Sequence, residues 1–82
     1  MNNEQLMQEL KKIVQPYVQN QEAFQEINLQ TSFLQDLEIN SAHLVDVILD
    51  IEDRFDIRIE NEEMEKMLDV EASLNIIKSK IE

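Results

Sequence analysis

The stretch from Asn40 to Phe55 constrains the fold more than any other part of this sequence. At about 100° per residue, five of its apolar side chains fall within about 100° of arc, which predicts an amphipathic α-helix with a stripe facing a core. These side chains are Leu44, Val47, Ile48, Ile51 and Phe55. Asn40 is a favoured N-cap residue, so Ser41 is expected to be the first helical residue, exposed where the preceding loop meets the helix.

The rest of this predicted helix carries two other features. Val45 and Leu49 form a second apolar strip beside the core stripe, where Leu49 either packs in the core or belongs to a contact surface. Asp46, Asp50 and Asp53 follow one another at four- and three-residue intervals on the opposite side. The helix is therefore expected to present carboxylates on the surface that faces away from the core.

Weaker patterns predict further helices on both sides of it. We expect them at Asn3 to about Val18, Glu62 to Met67 and Val70 to about Ile81. Pro16 should end or kink the first of them near Ile13 to Gln15, and Asp69 should cap the last. The region from Gln19 to Ile39 is apolar without clear periodicity, which indicates a long loop packed on the core, with a short turn of helix at Thr31 to Leu34. The prediction is an all-α fold, a small four-helix bundle of three longer helices and one short one with a long first loop, formed as a single domain by residues 1–82.

The charge of the chain predicts the kind of partner. It has 18 acidic and 7 basic side chains, a net charge of −11, and no lysine or arginine between Ile13 and Asp53. Such a surface repels nucleic-acid phosphates and anionic membranes and attracts proteins with basic patches, although the charge can also serve solubility alone. We therefore expect a monomer with protein partners, with no nucleic acid bound and no membrane insertion.

The length and the lack of cysteine limit the chemistry. A domain of 82 residues buries only about 60% of its unfolded surface, so a deep enclosed catalytic site is not expected. Without cysteine there is no disulfide, thiolate nucleophile or zinc–thiolate site. The polar start MNNEQLMQELKK does not resemble a signal peptide, and no apolar run approaches the ~20 residues of a membrane span. A cytoplasmic location is the expectation.

Two kinds of site are excluded by spacing. Ser41 and the single histidine, His43, are two residues apart on a predicted helix and do not face each other, and the chain has no glycine for the strained turn of a serine hydrolase. Asp36, Glu38 and Asn40 have the alternate spacing of a calcium-binding loop, but its central glycine and bidentate glutamate are missing. We predict no catalytic residue and no metal site.

A resemblance to the acyl carrier protein family extends from Ser32 to Ile77, over SFLQDLEINSAHLVDVILDIEDRFDIRIENEEMEKMLDVEASLNII. That family typically shows S-F-x-x-D-L-G-x-D-S-L, then an acidic helix, E-E-x-F-x-I-x-I and a closing T-V-x-x-A. The matching residues fall in register without a gap: Ser32, Phe33, Asp36, Leu37, Ser41, Val45, Glu52, Asp53, Phe55, Ile57, Ile59, Glu63, Val70 and Ala72. The resemblance extends more weakly over the first helix, and it implies an acyl-carrier-like bundle.

The resemblance also implies a function. Ser41 would receive 4′-phosphopantetheine from coenzyme A through a phosphopantetheinyl transferase, and the thiol of that arm would hold an acyl group as a thioester. The carrier itself would not be an enzyme. Its helix would dock on basic patches of enzymes that build or transfer acyl chains, through Val45, Asp46, Leu49, Asp50, Glu52 and Asp53. The acyl chain would be sheltered among Leu44, Ile48, Ile51 and Ile59.

The sequence departs from the family pattern around the serine and along the acidic helix. Asn40 replaces the usual aspartate, Ala42 the usual leucine and Glu38 the usual glycine, and His43, Arg54 and Arg58 interrupt the acidic surface. Two interpretations remain open. One is a carrier with dedicated enzymes in a specialised fatty-acid or polyketide-type pathway; the other is an unmodified acidic helical adaptor, in which Ser41 only starts a helix. A peptidyl carrier is a poorer match, because those usually have G-G-x-S around the serine.

Overall fold

The computed structural model describes residues 2–82, which form five α-helices and one 3₁₀ turn. In chain order these are α1 (Asn3–Val14), the 3₁₀ turn (Gln15–Tyr17), α2 (Gln21–Gln25), α3 (Ser41–Phe55), α4 (Asn61–Met64) and α5 (Val70–Ile81). Helices α1, α3 and α5 are long, with 12, 15 and 12 residues. Within the described range there is no strand. The predicted all-α bundle is confirmed, with one more short helix than expected.

Both ends of helix α1 are explained by residues next to them in the sequence. The side-chain oxygen of Asn2 accepts the backbone N–H of Gln5 at 2.8 Å, and the side-chain oxygen of Gln5 accepts the N–H of Asn2 at 3.1 Å. This reciprocal pair satisfies two amide groups that a helix start leaves without partners. The α-helix stops at Val14, and Pro16 lies in the 3₁₀ turn that follows, as expected for a residue that has no amide hydrogen. The predicted end near Ile13 to Gln15 is confirmed.

The short helix in the first loop lies earlier than predicted. It is α2, from Gln21 to Gln25, and Asn20 caps it by accepting the N–H of Ala23 at 3.1 Å. The predicted turn of helix at Thr31 to Leu34 was wrong. The sequence signal for α2 was present, since asparagine is a favoured N-cap residue.

Residues 31–33 are not helical because their backbone pairs with a distant segment. The N–H of Phe33 donates to the carbonyl of Leu68 at 3.1 Å, and the N–H of Val70 donates to the carbonyl of Thr31 at 3.1 Å. Around the bridge between Ser32 and Asp69, this pairing ties the first loop to the start of α5. It also places the Phe33 ring in the core, where its exposure is only 1%.

Helix α4 is shorter than predicted and begins one residue earlier. The Glu63 carboxylate accepts the N–H of Glu60 at 3.0 Å, which fixes the start of the helix, and the helix ends at Met64 instead of Met67. The chain then turns, with the N–H of Met67 donating to the carbonyl of Met64, and the Met67 side chain is buried. Local helix propensity favours one more helical turn here, but burial of the Met67 side chain stabilises the observed turn instead.

One cluster of buried apolar side chains joins the long helices and the loops. Its members are Leu6, Leu10, Val14, Val18, Phe33, Leu37, Ile39, Leu44, Val47, Ile48, Ile51, Ile59, Met67, Val70, Leu74 and Ile77. Each fully buried side chain of this size contributes about 1.5–3 kcal/mol. Four of the five predicted core residues of α3 are buried, and Phe55 is half-buried against the cluster. None of the helices formed by residues 2–82 is long and apolar enough to cross a membrane.

Candidate functional site

Ser41 is the first residue of α3, and its side chain is exposed. The preceding residue, Asn40, caps the helix: its side-chain oxygen accepts the N–H of Ala42 at 2.8 Å. The predicted cap is confirmed, and so is the placement of Ser41 at the helix start. The hydroxyl is thus presented to solvent from a backbone position fixed by the helix.

The loop before Ser41 is held by its own hydrogen bonds. The Asp36 carboxylate accepts the N–H of Ser32 at 2.7 Å, and the N–H groups of Leu37 and Ile39 donate to the carbonyls of Ser32 and Phe33 at 3.0 and 2.9 Å. The side chains of Leu37 and Ile39 are buried. These contacts fix the backbone up to two residues before Ser41. Between the two buried residues, Glu38 is exposed and has a left-handed conformation, with φ at 55°.

The surface of α3 that faces away from the core combines apolar and acidic side chains. Val45 and Leu49 are 52% and 51% exposed, so Leu49 does not pack in the core. Asp46 and Asp53 are also exposed and lie on the same outward surface. We call Val45, Asp46, Leu49 and Asp53 the outward face of α3. An apolar strip beside two carboxylates suits a partner with an apolar patch and basic side chains.

The flank of α3 that faces α1 is different, because its polar groups already have partners. The Tyr17 hydroxyl donates to the Asp50 carboxylate at 3.1 Å, and the Tyr17 ring lies against His43, with 5.5 Å between ring centroids. The hydrogen bond to Asp50 raises the pKa of Tyr17, and burial adds to the increase. Asp50 is therefore less free to contact a partner than its position in the sequence indicates.

A second contact closes the same flank further along. The Arg54 Nε donates to the Glu9 carboxylate at 2.7 Å, which joins α3 to α1. This bond lowers the pKa of Glu9 and raises that of Arg54. The sequence did not predict that Glu9 and Tyr17 bind side chains of α3. Glu9 is 45 residues from Arg54 and Tyr17 is 33 residues from Asp50, so no local signal connects the partners.

Glu52 has an internal role that the sequence did not indicate. Its carboxylate accepts the N–H of Ile59 at 2.7 Å, and the side chain is half-buried. The bond fixes the loop after α3, in which Asp56 caps the helix with a left-handed backbone at φ 53°. Of the six predicted contact residues, Glu52 and Asp50 are thus engaged within the chain, and the other four form the outward face.

The acidic side chains do not gather into a metal centre. Among residues 2–82, no three histidine, aspartate or glutamate side chains lie close enough together to hold a metal ion. The residues expected to shelter an acyl chain, Leu44, Ile48, Ile51 and Ile59, all belong to the buried cluster. The helix start at Ser41 and the outward face of α3 are the exposed features of this region that a partner can reach.

Comparison with curated proteins finds relatives along nearly the whole chain, although no protein-family model matches it. The acyl carrier protein of Petrotoga mobilis is 33% identical over 81 residues, which are 99% of this chain and 93% of that protein. The acyl carrier protein of Buchnera aphidicola subsp. Schizaphis graminum is 35% identical over 80 residues, 98% of this chain and 96% of the relative. That of Coprothermobacter proteolyticus is 31% identical over 81 residues, 99% and 96% of the two chains. The chain belongs to the acyl carrier protein family.

Proposed function

We propose that this chain carries acyl groups as thioesters on a 4′-phosphopantetheine arm attached to Ser41. The observation that supports this most is the exposed serine at the first position of α3, in a chain that aligns along nearly its whole length with acyl carrier proteins. The carrier contributes no catalytic group, and the enzymes that it serves perform the chemistry.

The start of α3 suits a phosphate-bearing group. The amino end of a long helix stabilises negative charge through its dipole and its free N–H groups. The first turn of α3 contains no acidic side chain, whereas the first turns of α1 and α5 contain Glu4 and Glu71. A phosphodiester on Ser41 would therefore meet no like charge within that turn.

Attachment is a group transfer from coenzyme A. The Ser41 oxygen forms a bond to the phosphorus that bears pantetheine, and the pyrophosphate P–O bond of coenzyme A breaks. Adenosine 3′,5′-bisphosphate leaves, and the hydroxyl proton passes to a base of the phosphopantetheinyl transferase. The role of the carrier in this step is to hold the hydroxyl in an exposed and fixed position.

Partners are proposed to bind the outward face of α3. Leu49 and Val45 supply apolar contact at about half exposure, and Asp46 and Asp53 supply charge for basic patches. Asp50 and Glu52 lie outside this face and are held by the Tyr17 hydroxyl and by the Ile59 amide. Arg54 places a positive charge at its edge, which weakens binding to enzymes that require a uniformly acidic helix. A specialised fatty-acid or polyketide-type pathway with dedicated enzymes fits this surface.

The proposal is tested by intact-protein mass. The purified protein is incubated with coenzyme A and a broad-specificity phosphopantetheinyl transferase, beside the Ser41→Ala variant. Ser79→Ala is the matched control, because Ser79 is also an exposed serine but lies near the end of α5. We expect a gain of one phosphopantetheine in the wild type and in Ser79→Ala, and none in Ser41→Ala.

Two outcomes would contradict the proposal. A folded wild-type protein that gains no mass with several transferases would favour the adaptor, in which Ser41 only starts a helix. A gain of mass in Ser41→Ala would place the modification on another residue.

A further inference from the structure

We propose that Glu38 is a specificity-determining residue for the transferase that modifies Ser41. Its carboxylate supplies, three residues before the serine, the negative charge that a basic side chain of that enzyme contacts. The inference rests on the proposed function, because it requires Ser41 to be the modified residue.

The other polar side chains between Ser32 and Asn40 are hydrogen-bonded or neutral. Asp36 binds the Ser32 N–H at 2.7 Å, so its carboxylate holds the loop together. Asn40 binds the Ala42 N–H at 2.8 Å, as an aspartate would, but it carries no charge. Within residues 2–82, the Glu38 carboxylate forms neither a side-chain hydrogen bond nor an ion pair. It is thus the carboxylate of the segment from Ser32 to Asn40 that remains available to a partner.

The backbone at Glu38 is fixed although it is unfavourable for glutamate. Its φ of 55° is in the left-handed region, where residues other than glycine, asparagine and aspartate are uncommon. The buried side chains of Leu37 and Ile39 on either side, with their bonded amides, hold it there. A glycine would fit this conformation better, and within residues 2–82 no side-chain hydrogen bond or ion pair of Glu38 offsets the cost. A contact with another protein gives a reason for keeping it.

The charge of Glu38 is not neutralised by neighbours in the sequence. No lysine or arginine occurs between Ile13 and Asp53. The ion pairs of the described residues involve Arg54, Arg58 and Lys80, all of which lie in α3's last turn or beyond. A basic side chain of the transferase that approaches Ser41 therefore meets an uncompensated carboxylate.

The test compares two isosteric substitutions that each remove one negative charge. Glu38→Gln changes the proposed contact, and Asp56→Asn is the matched control, because Asp56 is also a carboxylate at a left-handed position but lies at the other end of α3. The helix separates the two by roughly 20 Å. The rate of modification is measured with coenzyme A and a broad-specificity phosphopantetheinyl transferase at several carrier concentrations, at low and at high salt.

We expect Glu38→Gln to lower kcat/KM about three- to tenfold, mainly through KM, with a smaller difference at high salt. The kcat/KM of Asp56→Asn should stay within about twofold of the wild-type value. Glu38→Asp keeps the negative charge and should therefore retain most of the wild-type kcat/KM. An unchanged kcat/KM in Glu38→Gln would overturn the inference while the proposed function stands. An equal loss of kcat/KM in Asp56→Asn would also overturn the inference, because it would show that only the net charge of the carrier matters. A wild-type protein that is not modified at all would contradict the proposed function itself, and this inference with it.

Discussion

Within residues 2–82, Glu38 and Asp56 are the two residues that have a left-handed backbone. A left-handed conformation costs an L-residue roughly 1–2 kcal/mol. Aspartate tolerates it better than glutamate, and Asp56 occupies the helix C-terminal position where left-handed residues are common. Glu38 has neither advantage, so we expect it to be the more strained of the two.

Glu38→Gly is therefore expected to raise the free energy of unfolding by about 0.5–1 kcal/mol, because the relief of strain exceeds the extra flexibility that glycine gives the unfolded chain. Asp56→Gly should give a smaller gain. Urea denaturation at neutral pH measures both. Glu38→Ala is the control, since it removes the charge but keeps the Cβ. If Glu38→Gly is no more stable than Glu38→Ala, the backbone at residue 38 is not strained.

At the scale of the elements, α3 has two unlike surfaces. The Tyr17–Asp50 and Arg54–Glu9 contacts engage the flank towards α1, whereas the outward face keeps two half-exposed apolar side chains and two exposed carboxylates. The contacts that hold the bundle together thus also decide which part of the helix remains available for binding.

Leu49→Ala is expected to weaken docking and to leave the fold intact, because the side chain is half-exposed. The KM for modification by the transferase should rise about three- to tenfold. Leu29→Ala is the matched control, since Leu29 is 42% exposed but lies in the first loop. Equal effects of the two substitutions would contradict a docking role for the outward face.

The Glu9–Arg54 contact predicts a dependence of stability on pH. The pKa of Glu9 is lowered from its usual 4.5, chiefly by the hydrogen bond from Arg54. The contact should therefore stabilise the folded state fully above pH 4.5 and lose its effect as the pH falls through the lower, folded-state pKa. The difference in urea midpoint between wild type and Glu9→Gln should be positive at about pH 7 and shrink towards about pH 3. The difference between wild type and Arg54→Gln should change with pH in the same way. A difference in urea midpoint that does not vary with pH would contradict a stabilising contact between Glu9 and Arg54.

At the scale of the whole molecule, size and charge agree with a carrier. The Cα radius of gyration is 11.5 Å, close to the roughly 11.7 Å expected for a compact chain of this length. A molecule this small presents substrates to other proteins more readily than it encloses them. Its net charge of −11 favours rapid encounter with basic partners and makes that encounter sensitive to salt.

The parts of the fold that depend on neighbouring residues could be predicted from the sequence. The apolar spacing of α3 and the caps Asn40 and Asp69 are local signals, and the structure agrees with them. The cap at Asn20 was an equally local signal for α2 that the prediction overlooked.

Features that depend on distant contacts could not be predicted in the same way. The pairing of residues 31–33 with 68–70 removes the turn of helix that we expected there. At the candidate site, the helix start at Ser41 was predictable, but the engagement of Asp50 by Tyr17 and of Glu52 by the Ile59 amide was not. Both of these contacts depend on how the helices and loops pack, which spacing along one helix does not indicate.

Ser41 is proposed to hold an acyl group through a thioester-forming arm. The most direct measurement supplies acetyl-coenzyme A as donor to a broad-specificity phosphopantetheinyl transferase and follows intact mass before and after hydroxylamine, which cleaves thioesters. We expect that the wild type gains the acetylated arm, that hydroxylamine removes only the acetyl group, and that Ser41→Ala gains nothing. No added mass on the folded wild-type protein, or the same added mass on Ser41→Ala, would contradict it.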